Sequence, residues 1–135
     1  MSWGGIKRTA ADIEFSKAVR AASENCERCG KPADDCSHYV GRRNASTRYC
    51  VMNCTALCRG CHNYLGERPD EHHAFMVKKL GEAGYDILLE KARGIQKISK
   101  DDRKQVARHY RLQQQIIRDK RNNGETGIIN FESWG

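Results

Sequence analysis

Two Cys-x-x-Cys pairs, Cys26-Glu27-Arg28-Cys29 and Cys58-Arg59-Gly60-Cys61, offer four thiols at a spacing that suits a tetrahedral zinc ion. His38 lies between the pairs, Asn53 precedes the second pair and His62 follows it directly. Phosphodiester hydrolysis needs an activated water, a cation on the scissile phosphate and stabilisation of the leaving oxygen. A neutral imidazole can take the water's proton near pH 7, and a divalent ion supplies Lewis-acid stabilisation. On this reading His38 is the base. His62, one residue beyond a zinc ligand, binds the hydrolytic cation, and Asn53 braces the loop or orients the His38 ring. Singly, each of these residues has a plainer role: a histidine is more often surface or core, and an Asn before a helix is more often a cap. Their order and spacing carry the chemistry.

The elements that must position them follow from the local pattern. Thr9 to Ser23 reads as a supporting helix, with Thr9 as N-cap and Ile13, Val19 and Ala22 on its apolar side. Asn25 to Asp35 is a loop carrying the first cysteine pair. A strand is expected at His38-Tyr39-Val40, a loop over Gly41 to Ser46 and a returning strand over Arg48 to Met52. Asn53 then stands at the start of a segment with Leu57, Cys58, Cys61, His62 and Leu65, suited to one or two helical turns. Pro69 starts a helix using Phe75, Met76 and Leu80, which Gly81 and Gly84 break, and a short helix covers Asp86 to Ala92. Ser99 caps a last helix with Val106, Tyr110 and Ile117 on its buried side. After Arg121 the pattern ends in a tail. No repeat or linker divides the chain, so the expectation is one domain, with an N-terminal helix in residues 1–24, the zinc core in 25–66, a helical extension in 67–122 and the tail in 123–135.

Composition agrees with a small metal-stapled domain. At 135 residues, 39% hydrophobic and 30% charged, the core is modest. The odd count of seven cysteines, paired tightly, argues against a disulfide scaffold. The first residues, Met1 to Arg8, carry no apolar leader run, and no stretch approaches membrane-spanning length. A reducing cytoplasm with thiolates on metal is the expected setting. Cys36, Cys50 and Cys54 are spare; Cys50, Cys54 and Cys58 could form a rival ligand set, or the spares are small core residues.

Cys-x-x-Cys, Ser37-His38-Tyr39 and Asn53-Cys54-Thr55-Ala56-Leu57-Cys58-Arg59-Gly60-Cys61-His62 resemble the HNH (ββα-metal) endonuclease superfamily, nearest to its zinc-bearing, endonuclease VII-type branch. Thr47-Arg48-Tyr49 and the basic stretch Lys104 to Arg121 extend the resemblance to the phage NinG/Rap recombination proteins. It covers Cys26 to about Arg121. The resemblance implies an α+β fold with a two-stranded antiparallel hairpin, a four-cysteine zinc site and flanking helices. It implies His38, Asn53 and His62 as the catalytic set, Cys26, Cys29, Cys58 and Cys61 on zinc, and His62 on Mg²⁺ or Mn²⁺. Many HNH enzymes have an Asp or His ligand just before the base, where this chain has Ser37. Ser37 itself, Asp34, Asp35, Cys36, His72 or His73 would then complete the site, though His72 and His73 also suit an exposed first turn.

The net charge of +7 favours a polyanionic partner. Gly41 to Arg68 holds five basic residues against one acid, and Ser99 to Asn122 eight against three. Arg42, Arg43, Arg48, Arg59, Arg103, Lys104, Arg108 and Arg111 are the expected phosphate contacts, which position DNA without reading sequence. The expected activity is therefore metal-dependent DNA cleavage of low sequence specificity, on branched or recombination-intermediate DNA as the resemblance implies. The alternative is a zinc-ribbon DNA-binding module without chemistry. Symmetric junction cleavage would favour a homodimer, with Tyr110, Leu112, Ile116 and Ile117 as the candidate surface.

Overall fold

The computed structural model describes residues 7–135; the N-terminal reading up to Ile6 lies outside them. The order is α1 (Ala10–Ser23), β1 (Asp35–His38), β2 (Cys54–Leu57), α2 (Arg59–Gly66), α3 (Pro69–Arg93) and α4 (Lys100–Asn122). The fold is α+β, with four helices around a two-stranded antiparallel hairpin. Its register pairs Asp35 with Leu57, Cys36 with Ala56, Ser37 with Thr55 and His38 with Cys54.

α1 begins with a reciprocal cap, in which the Thr9 backbone N–H donates to Asp12 (2.8 Å), and Asp12 becomes part of the first turn. Its buried side is Ala11, Phe15, Ala18, Val19 and Ala22, while Ile13 is exposed. Phe15 is the large anchor that the expected stripe lacked. It packs edge-on to Tyr110 of α4 at 4.8 Å between ring centres and to Tyr49 at 6.0 Å. Burying a phenylalanine of this kind stabilises by about 1.5–3 kcal/mol. α1 stops where Glu24 takes a positive φ of 62°, turning the chain into the first cysteine pair.

The strands sit elsewhere than expected. β1 ends at His38 instead of beginning there, and Arg48 to Met52 is not a strand. From Gly41 to Asn53 the chain makes successive tight turns: the N–H groups of Asn44, Thr47, Cys50 and Asn53 each donate to a carbonyl three residues back. The reason is local. The Ser46 and Thr47 hydroxyls both donate to the Asn44 side-chain oxygen, at 2.6 and 3.1 Å, so short polar side chains hold the backbone in turns against the β preference of Thr47, Tyr49 and Val51.

α3 runs through Gly84 unbroken but kinks at Gly81, whose φ of 75° and ψ of 162° leave the helical region. The expected Asp86 to Ala92 helix is its second arm. Met76 and Leu88 are its fully buried residues. The helix docks on the hairpin through Lys79, whose ammonium reaches the Cys54 carbonyl at 2.8 Å and the Glu27 carboxylate at 2.9 Å. α4 carries the expected Ser99 cap, with the Asp102 N–H donating to Ser99 Oγ at 3.0 Å.

The segment 123–135 is anchored on the core at Ile129, Phe131 and Trp134 and is otherwise exposed. Ile129 is buried and its N–H donates to the Ala22 carbonyl at 2.9 Å, and the Trp134 N–H donates to the Tyr110 hydroxyl at 2.9 Å. That hydroxyl in turn donates to the Tyr49 carbonyl at 2.6 Å. Tyr110 and Ile117 are thus buried within the chain, and only Leu112 of the expected dimer surface is fully exposed, with Ile116 half-buried. Among the described residues no helix is long and apolar enough to cross a membrane.

Candidate metal centre and adjoining cavity

Cys26, Cys29, Cys58 and Cys61 bring their sulfurs within 4.8 Å of one another. Cys29 Sγ and Cys58 Sγ are 3.6 Å apart, far beyond a disulfide bond and close to the edge of about 3.8 Å that zinc–sulfur bonds of about 2.3 Å give a tetrahedron. Backbone N–H groups point at the sulfurs as thiolates require: Arg28 and Cys29 donate to Cys26 at 3.4 and 3.5 Å, and Cys61 donates to Cys58 at 3.4 Å. Gly30, at a φ of 82°, closes the first turn. Arg28 donates to Cys61 Sγ at 3.3 Å while lying 4.2 Å over the Tyr64 ring, placing a positive charge beside the cluster.

The acidities of Cys26 and Cys61 move in opposite directions. Burial opposes ionisation of Cys26, but the backbone donors outweigh it and bring its pKa to about 6. Burial pushes Cys61 up to about 12; Arg28 works against the rise and the neighbouring cysteines add to it. The set could hold a structural zinc, clamping both ends of the hairpin.

Beside this centre lies a cavity of about 400 Å³ lined by both histidines of interest. His38, at the end of β1, donates from Nε2 to the Arg48 carbonyl at 2.8 Å, which leaves Nδ1 with the free lone pair. Phe15 backs the ring at 5.8 Å. Burial holds the pKa of His38 below its ordinary value, with Arg42 acting in the same direction and the Arg48 carbonyl against it, so the ring is neutral at pH 7. His62, on α2, donates from Nδ1 to Asp35 at 2.9 Å, and among the described residues no protein group claims Nε2. Asp35 also receives a two-pronged grip from Arg59, at 2.7 and 2.9 Å. Arg59, then His62, hold its pKa below the usual carboxylate value against burial. Asp34 accepts from the Arg59 backbone N–H at 2.9 Å.

Asn53 does not reach His38. Fully buried, it clamps the turn region instead, accepting from the Val40 N–H at 2.8 Å and donating to the Val40 and Thr47 carbonyls at 2.9 and 3.2 Å. Asn53→Ala leaves the N–H and the carbonyl of half-buried Val40 without their side-chain partner, while the Thr47 carbonyl keeps the Cys50 N–H, and is expected to cost about 2–3 kcal/mol. Asn53→Asp, which loses both donors, is expected not to restore the loss. The urea midpoints of the three proteins measure both.

Other expected residues fall into two groups. Asp34, Asp35 and Cys36 line the cavity with the histidines. Ser37 is buried on the opposite face of the strand and does not line it, nor do His72 and His73. His72 packs edge-on to Tyr39 at 4.9 Å, and His73 sits by Tyr85. Of the arginines, Arg48 is committed internally, gripping Asp12 at 2.7 and 2.9 Å and the Lys7 carbonyl at 3.1 Å. Arg42, Arg43, Arg48 and Arg103 share a recess of about 120 Å³. Lys104, Arg108 and Arg111 are exposed on α4.

One wall of the cavity was missed from the sequence. Asp12, Ser16 and Arg20 come from the segment read only as support, and Arg8 just precedes it. Their four-residue spacing, a polar stripe along one helix face, was the available signal.

Compared with known proteins, the chain matches no protein-family model, no curated protein and no solved structure at a significant level.

Proposed function

We propose that this chain is a metal-dependent DNA endonuclease of the HNH type, cutting phosphodiesters with low sequence specificity and acting on branched DNA. The observation that carries the reading is the convergence of His38 and His62 on one arginine-lined cavity beside a four-cysteine cluster. His38 takes the proton of the attacking water at Nδ1, its other nitrogen being fixed by the Arg48 carbonyl. His62 offers Nε2 to a hard cation, with Asp35 behind it as the carboxylate that orients a metal-bound imidazole. A bound Mg²⁺ or Mn²⁺ would supply Lewis-acid stabilisation to the phosphate and leaving oxygen. His62 Nε2 would be a single protein donor to such an ion, which would take its remaining ligands from water and the substrate phosphate. Arg8, Arg20, Arg42 and Arg59 line the cavity against Asp12, Asp34 and Asp35, with Arg42 and Arg59 paired to Asp12 and Asp35, which leaves a small positive balance to receive a phosphate.

Supercoiled plasmid tests the reading. The expected result is nicking that needs Mg²⁺ or Mn²⁺ and is abolished by EDTA, with four-way junctions cut in preference to linear duplex. Salt-sensitive DNA binding with no cleavage in either metal would assign the chain to the zinc-ribbon binding modules instead.

A further inference from the structure

Two of the three cysteines outside the zinc-type pairs, Cys36 and Cys54, are brought together by the hairpin. Register places His38 opposite Cys54 across the hairpin, with Cys36 two residues before His38 on the same face. The Cys36 and Cys54 sulfurs and a His38 ring nitrogen all lie within 4.8 Å of one another. We propose that Cys36, His38 and Cys54 form a second site, for a soft divalent cation of the zinc class, and that a cation held there withdraws the His38 imidazole from proton transfer.

Four features support a built site. The donors are two thiols and an imidazole, the set that borderline-soft ions prefer over Mg²⁺. His38 already donates its far nitrogen to a backbone carbonyl at 2.8 Å, the outer contact that orients metal-ligating histidines. Cys36 and His38 line the cavity, which gives the ion a path from solvent. The strands that carry all three donors are pinned in register by the hairpin. Binding displaces one proton from each thiol to solvent, forms two metal–sulfur bonds and uses the Nδ1 lone pair, leaving the fourth position to water or an anion. The two thiolates neutralise the ion's charge. Because the same lone pair serves as base in the nuclease reading, occupation of this site and hydrolysis exclude each other. That second half rests on the nuclease reading; the site itself does not.

The test titrates Co²⁺ into reduced full-length protein whose four-cysteine centre is already filled with zinc. One further equivalent should bind with sulfur-to-cobalt charge-transfer absorption. Cys36→Ser, which alters a half-buried residue, and His38→Gln, which leaves both thiols in place, should each weaken that binding by about tenfold or more. Failure to take up a second equivalent, or an unchanged titration in both variants, overturns the site. For the second half, zinc in small excess over protein should arrest Mg²⁺-supported nicking, and in Cys36→Ser the fractional inhibition, measured against that variant's own zinc-free rate, should fall by a similar factor. Equal inhibition of both proteins overturns the competition while leaving the cobalt result standing. A second cobalt equivalent in a protein that never nicks DNA keeps the site and overturns the competition together with the nuclease reading.

Discussion

His38→Ala is expected to lower plasmid nicking by about 10²–10⁴-fold, the usual worth of a positioned general base. Three constraints meet on this ring, which is why the proposed chemistry is put there. The Arg48 carbonyl fixes its tautomer, Phe15 fixes its plane, and burial keeps it neutral at the pH of the reaction. Since burial depresses its pKa, the acid limb of the rate profile should fall below the ordinary histidine value near 6.5. The same shift has a sign for stability: below about pH 6.5 the unfolded chain binds a proton that the native ring refuses, so folding weakens as pH drops through that range. The comparison that isolates chemistry is His38→Gln, which can keep a donor to the Arg48 carbonyl. Equal loss of nicking in both variants, with similar urea midpoints, assigns the loss to the missing base. Nicking by either variant at the wild-type rate would remove His38 from the mechanism.

Stripping zinc from the four-cysteine centre is expected to unfold the hairpin and collapse the cavity with it. Structural zinc sites in small peptides contribute about 10–16 kcal/mol of binding free energy that is also folding free energy, and a domain of this size is stable by about 5–15 kcal/mol in total. The two ranges overlap, so a zinc bound there would supply a share of stability comparable to the whole domain's and would hold the cluster of Cys26, Leu57, Cys61 and Leu65 together. A strong chelator should release one zinc equivalent, or two if the second site is loaded, with loss of near-ultraviolet circular dichroism. Cys29→Ser tests the same point at the most exposed of the four ligands. A chelated chain that kept its tertiary signal would show that the thiols merely pack.

The four-cysteine cluster was legible because thiol pairs at fixed spacing encode a local turn, and local turns survive translation into structure. The likeness of α1 and α4 to their sequence patterns has the same origin, since caps at Thr9 and Ser99 are read within four residues. Long-range pairings were not legible. The strands moved because Asn44, Ser46 and Thr47 organise turns through side-chain bonds that no alternation pattern records. The tail looked unstructured because Ile129 and Trp134 find partners about a hundred and about twenty-four residues away, on Ala22 and Tyr110. Cys36 and Cys54 gained a shared histidine only through the cross-strand register. Within the cavity, His62 was visible from its neighbour Cys61, whereas the partner carboxylate, Asp35, was one of several candidates until the geometry placed it at 2.9 Å.

The ring of Phe15 touches both His38 and Tyr110, and Tyr110 is the residue on which Tyr49 and the chain's last turn converge. A mechanical linkage therefore runs from the far helix to the imidazole without passing through any cysteine. Loosening α4 or peeling away the final residues would tilt the base while every thiol kept its place, so a zinc-replete preparation is no guarantee of a competent one.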